Sequence, residues 1–157
     1  MNQKELETKI RGLYKSSDEV KSALESEFGK EFFTLDISER INGWEDMMEE
    51  TGRPDAPVFV DLPEDLRDHF RKYYRVVIMN EAYNEGERMD IYDSSKARHY
   101  PYFLTNGSPS AFAFRGSIFD STNAHAGSGS RLALKSAKRV EIAATKHPEI
   151  YREWLES

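Results

Sequence analysis

The chain of 157 residues contains no cysteine. Without cysteine there is no disulfide framework, no zinc finger, no iron–sulfur cluster and no thiol nucleophile. Histidine is also scarce, since the four histidines stand singly and none is paired at the i, i+4 spacing that places two imidazoles on one helix face. The sequence therefore predicts no metal site and no cofactor.

Long apolar runs are missing as well. No stretch approaches the roughly 18 apolar residues that span a bilayer, and the opening residues MNQKELETKI contain no apolar signal core. At this length the chain corresponds to one domain. We therefore expect a soluble protein that has no membrane partner and works in a cytoplasm.

Acidic side chains are unevenly distributed along the chain. Residues 1–93 hold 23 acids and 13 bases, a formal charge of −10, whereas residues 94–157 hold 5 acids and 9 bases, a charge of +4. Between residues 94 and 140 the only acid is Asp120. One interpretation is that the opposite signs help the two halves to pack or keep the chain in solution; the other is that the basic stretch contacts an anionic partner.

The first part of the chain has the pattern of helices. Apolar residues recur at three- and four-residue spacing, which predicts two helices, the second starting at a Ser16 cap and ending at Gly29. A further helix is predicted between Asn42 and Gly52. Together these elements form an N-terminal helical segment, residues 1–52.

A proline-rich stretch follows. Residues 53–63, RPDAPVFVDLP, hold three of the six prolines, and proline interrupts helices. We interpret residues 53–61 as a linker between the segment 1–52 and an α+β core domain, residues 62–157, the whole forming one compact unit.

The second part mixes helices with strands. Pro63 starts the longest helix. Residues 100–104 are rich in aromatic side chains, and phenylalanines alternate with small residues within 111–119, which together predict a β-hairpin. Alternating charged and aliphatic residues at Arg131–Lys135 predict a third strand. A final helix, kinked at Pro148, closes the chain. The predicted fold class is α+β, with N-terminal helices and a small antiparallel three-stranded sheet packed by a C-terminal helix.

Two polar segments contain residues that could form a catalytic or an anion-binding site. Asp120, Asn123 and His125 share a loop, and a hydrolase using His125 and Asp120 is the enzymatic alternative. We favour a solvated turn and predict no catalytic residue. The glycine-dense segment Ala126–Arg131 could cradle an anion, but no Gly-Lys-Ser/Thr follows and it leads into a predicted strand. A flexible turn is the favoured interpretation there, and whether the turn holds an anion stays open.

Nucleic-acid binding is one alternative function of the predicted hairpin. Arg115 lies among Phe112, Phe114 and Phe119, a mixture on which single-stranded bases can stack. Phenylalanines two residues apart point to the same side of a strand, however, and one such row is normally the core face. We therefore do not expect a nucleic-acid partner.

Several short motifs resemble those of a known set of proteins. They are, in order, Asn80–Gly86 (NEAYNEG), His99–Phe103 (HYPYF), Ala111–Phe114 (AFAF), Gly129–Ser136 (GSRLALKS) and the pair Ile150-Tyr151. Over residues 62–155 this order resembles small proteins encoded by phages and integrated elements of gut bacteria, which carry ALNEG, YYPWF, GFGFS, GSRLCFKS and a closing IY pair. Here Ala133-Leu134 replaces the usual Cys-Phe, and His147-Pro148 interrupts the closing helix. The resemblance implies a phage-type origin and an α+β fold; those proteins have no assigned activity, so no catalytic residue is carried over.

Two functions from different classes follow from these observations. The leading hypothesis is a non-enzymatic phage protein that binds another protein, as a minor virion component or an assembly accessory, in the virion or the host cytoplasm. The alternative is an early anti-defence or host-takeover factor that inhibits a host protein or sequesters an anionic small molecule. Homo-oligomerisation is left open.

Arginine and tryptophan are frequent at interface hot spots, and this guides the choice of contact residues. We expect an anionic partner to meet four cations: Arg115, Arg131, Lys135 and Arg139. Trp44 and Trp154 are predicted interface residues on the condition that either ring is exposed.

Overall fold

The computed structural model describes residues 3–14, 16–125, 129 and 131–157. Over these residues the chain forms eight helices and one two-stranded antiparallel sheet. The helices are α1 Gln3–Leu13, α2 Asp18–Phe28, α3 Lys30–Thr34, α4 Ile37–Arg40, α5 Trp44–Thr51, α6 Glu64–Tyr83, α7 Ala137–Lys146 and α8 Pro148–Leu155. The strands are β1 Arg98–Leu104 and β2 Ala113–Asp120, joined by a loop with a 3₁₀ turn at Pro109–Ala111. The α+β class is confirmed, and none of the described helices has the length and apolar character to cross a membrane.

Helix ends follow the local sequence. Gly29 ends α2 with a φ of 80°, and Gly52 ends α5 in the left-handed conformation that glycine adopts at low cost. The cap of α2 is Ser17 rather than the predicted Ser16, because the Ser17 Oγ accepts a main-chain N–H of the first turn. Ser16 instead donates its hydroxyl to the Leu13 carbonyl at 2.6 Å and so closes α1.

The longest helix, α6, is the centre of the hydrophobic core. It packs against α5 and α8, while α7 packs against both strands. Ile37, Ile41 and Met47, from the N-terminal part of the chain, belong to the same buried cluster as the apolar residues of α6, α7 and α8. The core therefore includes residues from both sides of the proline-rich stretch.

The proline-rich stretch lies along α6. Residues 53–61 contain no helix or strand. The Tyr74 hydroxyl donates to the Pro54 carbonyl at 2.8 Å, and the Arg67 guanidinium donates to the Val60 carbonyl at 2.9 Å. Two side chains of α6 therefore tie this stretch to the helix.

The predicted third strand at Arg131–Lys135 is wrong. This segment meets β1 at a single residue pair, in which His99 and Leu134 exchange both main-chain hydrogen bonds, at 2.8 and 2.7 Å. The next pair in that ladder would join Pro101 to Leu132, but proline has no N–H to donate. The Leu132 N–H closes a local turn instead. Pairing therefore ends after one bridge, and the sheet has two strands.

A side chain takes the place of a neighbouring strand on the other side of this segment. Asn84, buried just after α6, donates its Nδ2 to the Ala133 carbonyl at 2.9 Å and accepts the Lys135 N–H on its Oδ1 at 3.0 Å. One amide carries both a donor and an acceptor. Asn84 therefore satisfies two main-chain groups that a further strand would otherwise have to pair.

The C-terminal helix is divided into two, where the sequence predicted one kinked helix. His147 separates α7 from α8, and Pro148 is the first residue of α8, a position that needs no N–H. His147 is buried, with its Nε2 at 3.1 Å from the Tyr83 hydroxyl. Burial lowers the pKa of His147 and raises that of Tyr83 to about 12, so both groups are neutral near pH 7.

Helices α1 to α3 contribute a smaller cluster of their own. The rings of Tyr14 and Phe33 stack at 4.2 Å, and Phe28 and Phe32 complete the group. No described residue of α2 is buried. These aromatic contacts lie outside the main core, and a hydrogen bond from the Tyr14 hydroxyl to Glu25 at 2.5 Å accompanies them.

We expect the substitution Asn84→Ala to lower the free energy of unfolding by about 2 kcal/mol, because it leaves two buried main-chain groups without partners. Asn123→Ala, at an exposed site, is the control and should change it by less than about 0.5 kcal/mol. Urea denaturation of both variants measures this difference, and equal effects would contradict the role assigned to Asn84.

Candidate functional site

The four cations predicted to meet an anionic partner fall into two groups. Lys135 Nζ lies 3.1 Å from Glu85 Oε2, and Arg139 Nη2 lies 2.8 Å from the same oxygen. Arg115 and Arg131 are exposed, and neither side chain has a hydrogen bond or ion pair to any residue in the described part of the chain. The structure thus brings Lys135 and Arg139 together at the Glu85 carboxylate. It leaves the other two cations accessible to solvent.

Glu85 has an unusual backbone conformation. Its φ is +54°, and the N–H of the next residue, Gly86, bonds the Glu81 carbonyl at 3.0 Å, which closes the end of α6. Glycine is the usual residue at such a left-handed position after a helix. Any other residue costs roughly 1–2 kcal/mol there. Glu85 therefore takes a conformation that costs free energy relative to glycine.

The Glu85 side chain joins cations from three segments. In addition to Lys135 and Arg139, it contacts Arg40 Nη2 of α4 at 3.1 Å, and Arg40 Nη1 contacts Glu50 at 2.5 Å. Burial acts to raise the pKa of Glu85, but hydrogen bonds from Lys135 and Arg139 outweigh it and lower this pKa to about 2. We call Glu85, Arg40, Lys135 and Arg139 the Glu85 cluster; it ties α4 and the start of α7 to the end of α6.

Neither tryptophan meets the condition set for an interface residue. Trp44 and Trp154 are both partly buried and pack against the core cluster. The indole N–H of Trp44 donates to Asp55 at 2.9 Å, and the ring of Trp154 lies 5.8 Å from that of Tyr73. Both side chains therefore have packing roles within the chain.

A buried carboxylate and an exposed histidine meet where β2 ends. The two oxygens of Asp120 lie 2.9 and 3.0 Å from Nδ1 of His125. Asp120 is buried, whereas the His125 side chain is 69% exposed. Burial, together with the nearby Asp120 charge, raises the pKa of Tyr100, whose hydroxyl lies 3.4 Å from the same nitrogen. The structure thus pairs the two residues of the hydrolase alternative, but at an open surface.

Buried Arg98 organises the loop that carries His125. Its guanidinium donates to four main-chain carbonyls, those of Asp90, Ile91, Ser121 and Asn123. Arg98 also stands opposite Asp120 in the strand register. From the sequence alone, Arg98 is one more cation of the basic stretch, since nothing in its local pattern distinguishes a buried arginine from an exposed one.

No group of three or more histidine, aspartate or glutamate side chains that could hold a metal ion occurs among the residues described. The glycine-dense turn considered for anion binding lies mostly outside the described residues, which exclude 126–128 and 130. The polar side-chain contact that the structure describes at this end of the hairpin is therefore the one between Asp120 and His125.

The hairpin exposes three large apolar side chains. Tyr102 is 44%, Ile118 45% and Phe119 60% exposed. Phe103 and Phe114, which face each other across the strands, pack against the core. Of the two phenylalanines expected to face the core, Phe114 packs against the core cluster, whereas Phe112 lines a groove and stacks on Phe103. We call Tyr102, Ile118 and Phe119 the hairpin patch. It spans both faces of the hairpin, because Tyr102 and Ile118 lie on one face and Phe119, next to Ile118 in the strand, lies on the other.

The hairpin also has an open edge. Within the described residues β2 pairs only with β1, so its other edge has no neighbouring strand. A β-bulge interrupts the register, and Arg115 stands there without a residue opposite it on β1. An open edge presents main-chain N–H and C=O groups that another chain can pair with.

An apolar groove of about 520 Å³ lies beside the hairpin loop and the end of α8. Tyr102, Phe103, Phe112 and Leu155 are among the side chains that line it. The rings of Phe103 and Phe112 stack at 4.7 Å and form a flat aromatic surface. The groove thus extends the accessible apolar surface of the hairpin patch, with which it shares Tyr102.

No protein-family model, no curated protein and no solved structure matches the chain.

We expect Glu85→Gln to lower the free energy of unfolding at neutral pH by about 2 kcal/mol, since hydrogen bonds to a charged group are lost. In the native protein the depressed pKa of Glu85 contributes stability that is complete above pH 4.5, its ordinary pKa, and is lost as the pH falls toward about 2. The Glu85→Gln variant should lack this decrease in the free energy of unfolding between pH 4.5 and about 2.

Urea denaturation at a series of pH values tests both statements. Glu153→Gln is the matched control, because Glu153 pairs with Arg75 at 2.9 Å at an exposed position, where ion pairs contribute less than about 1 kcal/mol. If the two variants lose equal stability, the Glu85 cluster is no stronger than a surface ion pair.

Proposed function

We propose that this is a non-enzymatic phage protein that acts by binding another protein, as a minor virion component or an assembly accessory. The observation that supports binding is the hairpin patch, Tyr102, Ile118 and Phe119, beside an open strand edge. The phage origin is supported by the motif resemblance over residues 62–155.

The composition of this surface resembles that of an interface. Single exposed apolar residues are common on any protein. Here, however, three large ones belong to one hairpin, and the exposed Arg115 lies on the same strand as two of them. Aromatic residues and arginine are enriched in interfaces relative to the remaining surface. The hairpin therefore has the features of a docking element.

The partner that this surface fits is an extended segment with apolar and acidic side chains. Such a segment adds as a strand to the open edge of β2 through main-chain hydrogen bonds, and its apolar side chains cover Ile118 and Phe119. Arg115 attracts its carboxylates. The one acid between residues 94 and 140, Asp120, is buried, so it adds little repulsion at this surface.

The Asp120–His125 contact has a structural role in this proposal. The Asp120 carboxylate accepts hydrogen bonds from the Nδ1–H of the His125 ring and, at 3.4 Å, from the His125 main-chain N–H. Arg98 donates to the Ser121 and Asn123 carbonyls of the same loop. These contacts fold the loop back onto the end of the hairpin. They hold the open edge of β2 in a fixed position for a partner.

The proposal is tested by quantitative mass spectrometry of purified phage particles. Particles made with the wild-type chain should contain it, and the double variant Arg115→Glu/Phe119→Ser should be incorporated about tenfold less, the effect of about 1.4 kcal/mol of binding free energy. Val58→Ser is the control, because Val58 is 63% exposed and lies in the proline-rich stretch, outside the hairpin.

Circular dichroism of the variants checks that each one folds. Absence of the wild-type chain from particles would contradict the virion role. Equal incorporation of the folded double variant and the control would show that the hairpin is not the contact surface.

The alternative of an early anti-defence or host-takeover factor is favoured by a different observation. The described side chains of α2 are all at least partly exposed, and Asp18, Glu19 and Glu27 give it an acidic surface that a basic host protein can bind. Pairing of Lys135 and Arg139 with Glu85 makes capture of an anionic small molecule less favourable. Synthesis early in infection would support this alternative, and late synthesis would support the virion role.

A further inference from the structure

The dipeptide Asn-Gly occurs twice in the chain, at residues 42–43 and 106–107. The structure places the two copies in opposite environments. We propose that Asn106 is a site of spontaneous deamidation, with water as the only co-reactant, and that the fold protects Asn42 from the same reaction.

The reaction requires an accessible asparagine side-chain amide and a main-chain N–H on the next residue that makes no hydrogen bond. The Gly107 nitrogen, after losing its proton to solvent, attacks Cγ of Asn106, and the C–N bond of the side-chain amide breaks to release ammonia. Water then opens the resulting succinimide at either carbonyl. The products are aspartate and the β-linked isoaspartate; no oxidant or reductant takes part. Glycine favours the first step because it has no side chain to block the approach.

Asn106 and Gly107 meet these requirements at the tip of the hairpin loop. Both are exposed, and their φ angles are 45° and 70°. The Ser108 N–H donates to the Thr105 carbonyl at 2.9 Å, so the two residues occupy the centre of a turn with positive φ at both positions. In the described residues neither the Asn106 side chain nor the Gly107 N–H has a hydrogen-bond partner, and the space next to the Gly107 Cα is open.

Asn42 and Gly43 are held by hydrogen bonds at the start of α5. The Asn42 side-chain oxygen accepts from Lys146 Nζ at 3.0 Å. The N–H groups of Asn42 and Gly43 both donate to one carboxylate oxygen of Asp46, at 2.8 and 3.1 Å. The attacking nitrogen must give up its proton, and the negative charge of this carboxylate opposes the anion that forms. Both the nucleophile and the side-chain amide are therefore restrained.

Deamidation of Asn106 would change the hairpin loop beside the apolar groove. Thr105, Ser108 and Pro109 line that groove. The aspartate product adds a negative charge at its rim, and the isoaspartate product adds a methylene to the main chain inside a turn that depends on two residues with positive φ. Protein kept at neutral pH should therefore become a mixture of molecules with asparagine, aspartate or isoaspartate at residue 106.

The test is peptide mapping by mass spectrometry of the full-length protein, incubated at neutral pH and physiological temperature, folded and in urea. In the folded protein, the peptide with Asn106 should acquire the amide-to-acid mass change many-fold faster than the peptide with Asn42. In urea, both peptides should convert at similar rates, because the two share the same glycine neighbour. Asn106→Gln, in which the longer side chain cyclises much more slowly, should remove the change at residue 106 and leave Asn42 unaffected.

Two results would overturn the inference. One is a folded protein whose Asn106 stays intact over the time in which the urea-unfolded chain converts. The other is conversion of Asn42 and Asn106 at equal rates in the folded state, which would show that the fold makes no distinction between them.

Discussion

One carboxylate, that of Glu85, connects the end of α6 to three other segments of the chain through ion pairs. It stands where a helix end normally has glycine, with a φ of +54°, although Gly86 follows directly. In that conformation the charged side chain contacts Arg40, Lys135 and Arg139, which come from three separate segments. A glycine at this position would relieve the strain but would leave three partly buried cations without their shared counter-ion.

The hairpin depends on this cluster indirectly. Lys135 follows the single bridge between Leu134 and His99 of β1, and Arg139 lies in the first turns of α7, which packs on both strands. Asn84, the residue before Glu85, bonds the main chain on both sides of Leu134. A two-stranded hairpin is marginal on its own. The end of α6 therefore positions both the bridge and the helix that support it, and the hairpin patch remains exposed on a fixed scaffold.

Local signals allowed most of the helices to be predicted, and long-range contacts account for the failures. Gly29 and Gly52 end their helices as expected, because positive φ is a local property. The third strand failed because Pro101, thirty residues away, lacks the N–H that a longer ladder needs. The charge division between the two halves does not identify which cations are paired. Only the fold shows that Lys135 and Arg139 contact Glu85, whereas Arg115 has no hydrogen bond or ion pair with a described residue. Nothing in the local pattern identifies Arg98 as buried.

The central claim is that Glu85 and its cations act as one cooperative cluster, and a double-mutant cycle tests it directly. The free energies of unfolding of the wild type, Glu85→Gln, Arg139→Gln and the double variant give the coupling between the two side chains. We predict that the coupling free energy between Glu85 and Arg139 is about 1–2 kcal/mol, because substitutions within one ion-pair network are not additive. Losses that add within about 0.5 kcal/mol would contradict it.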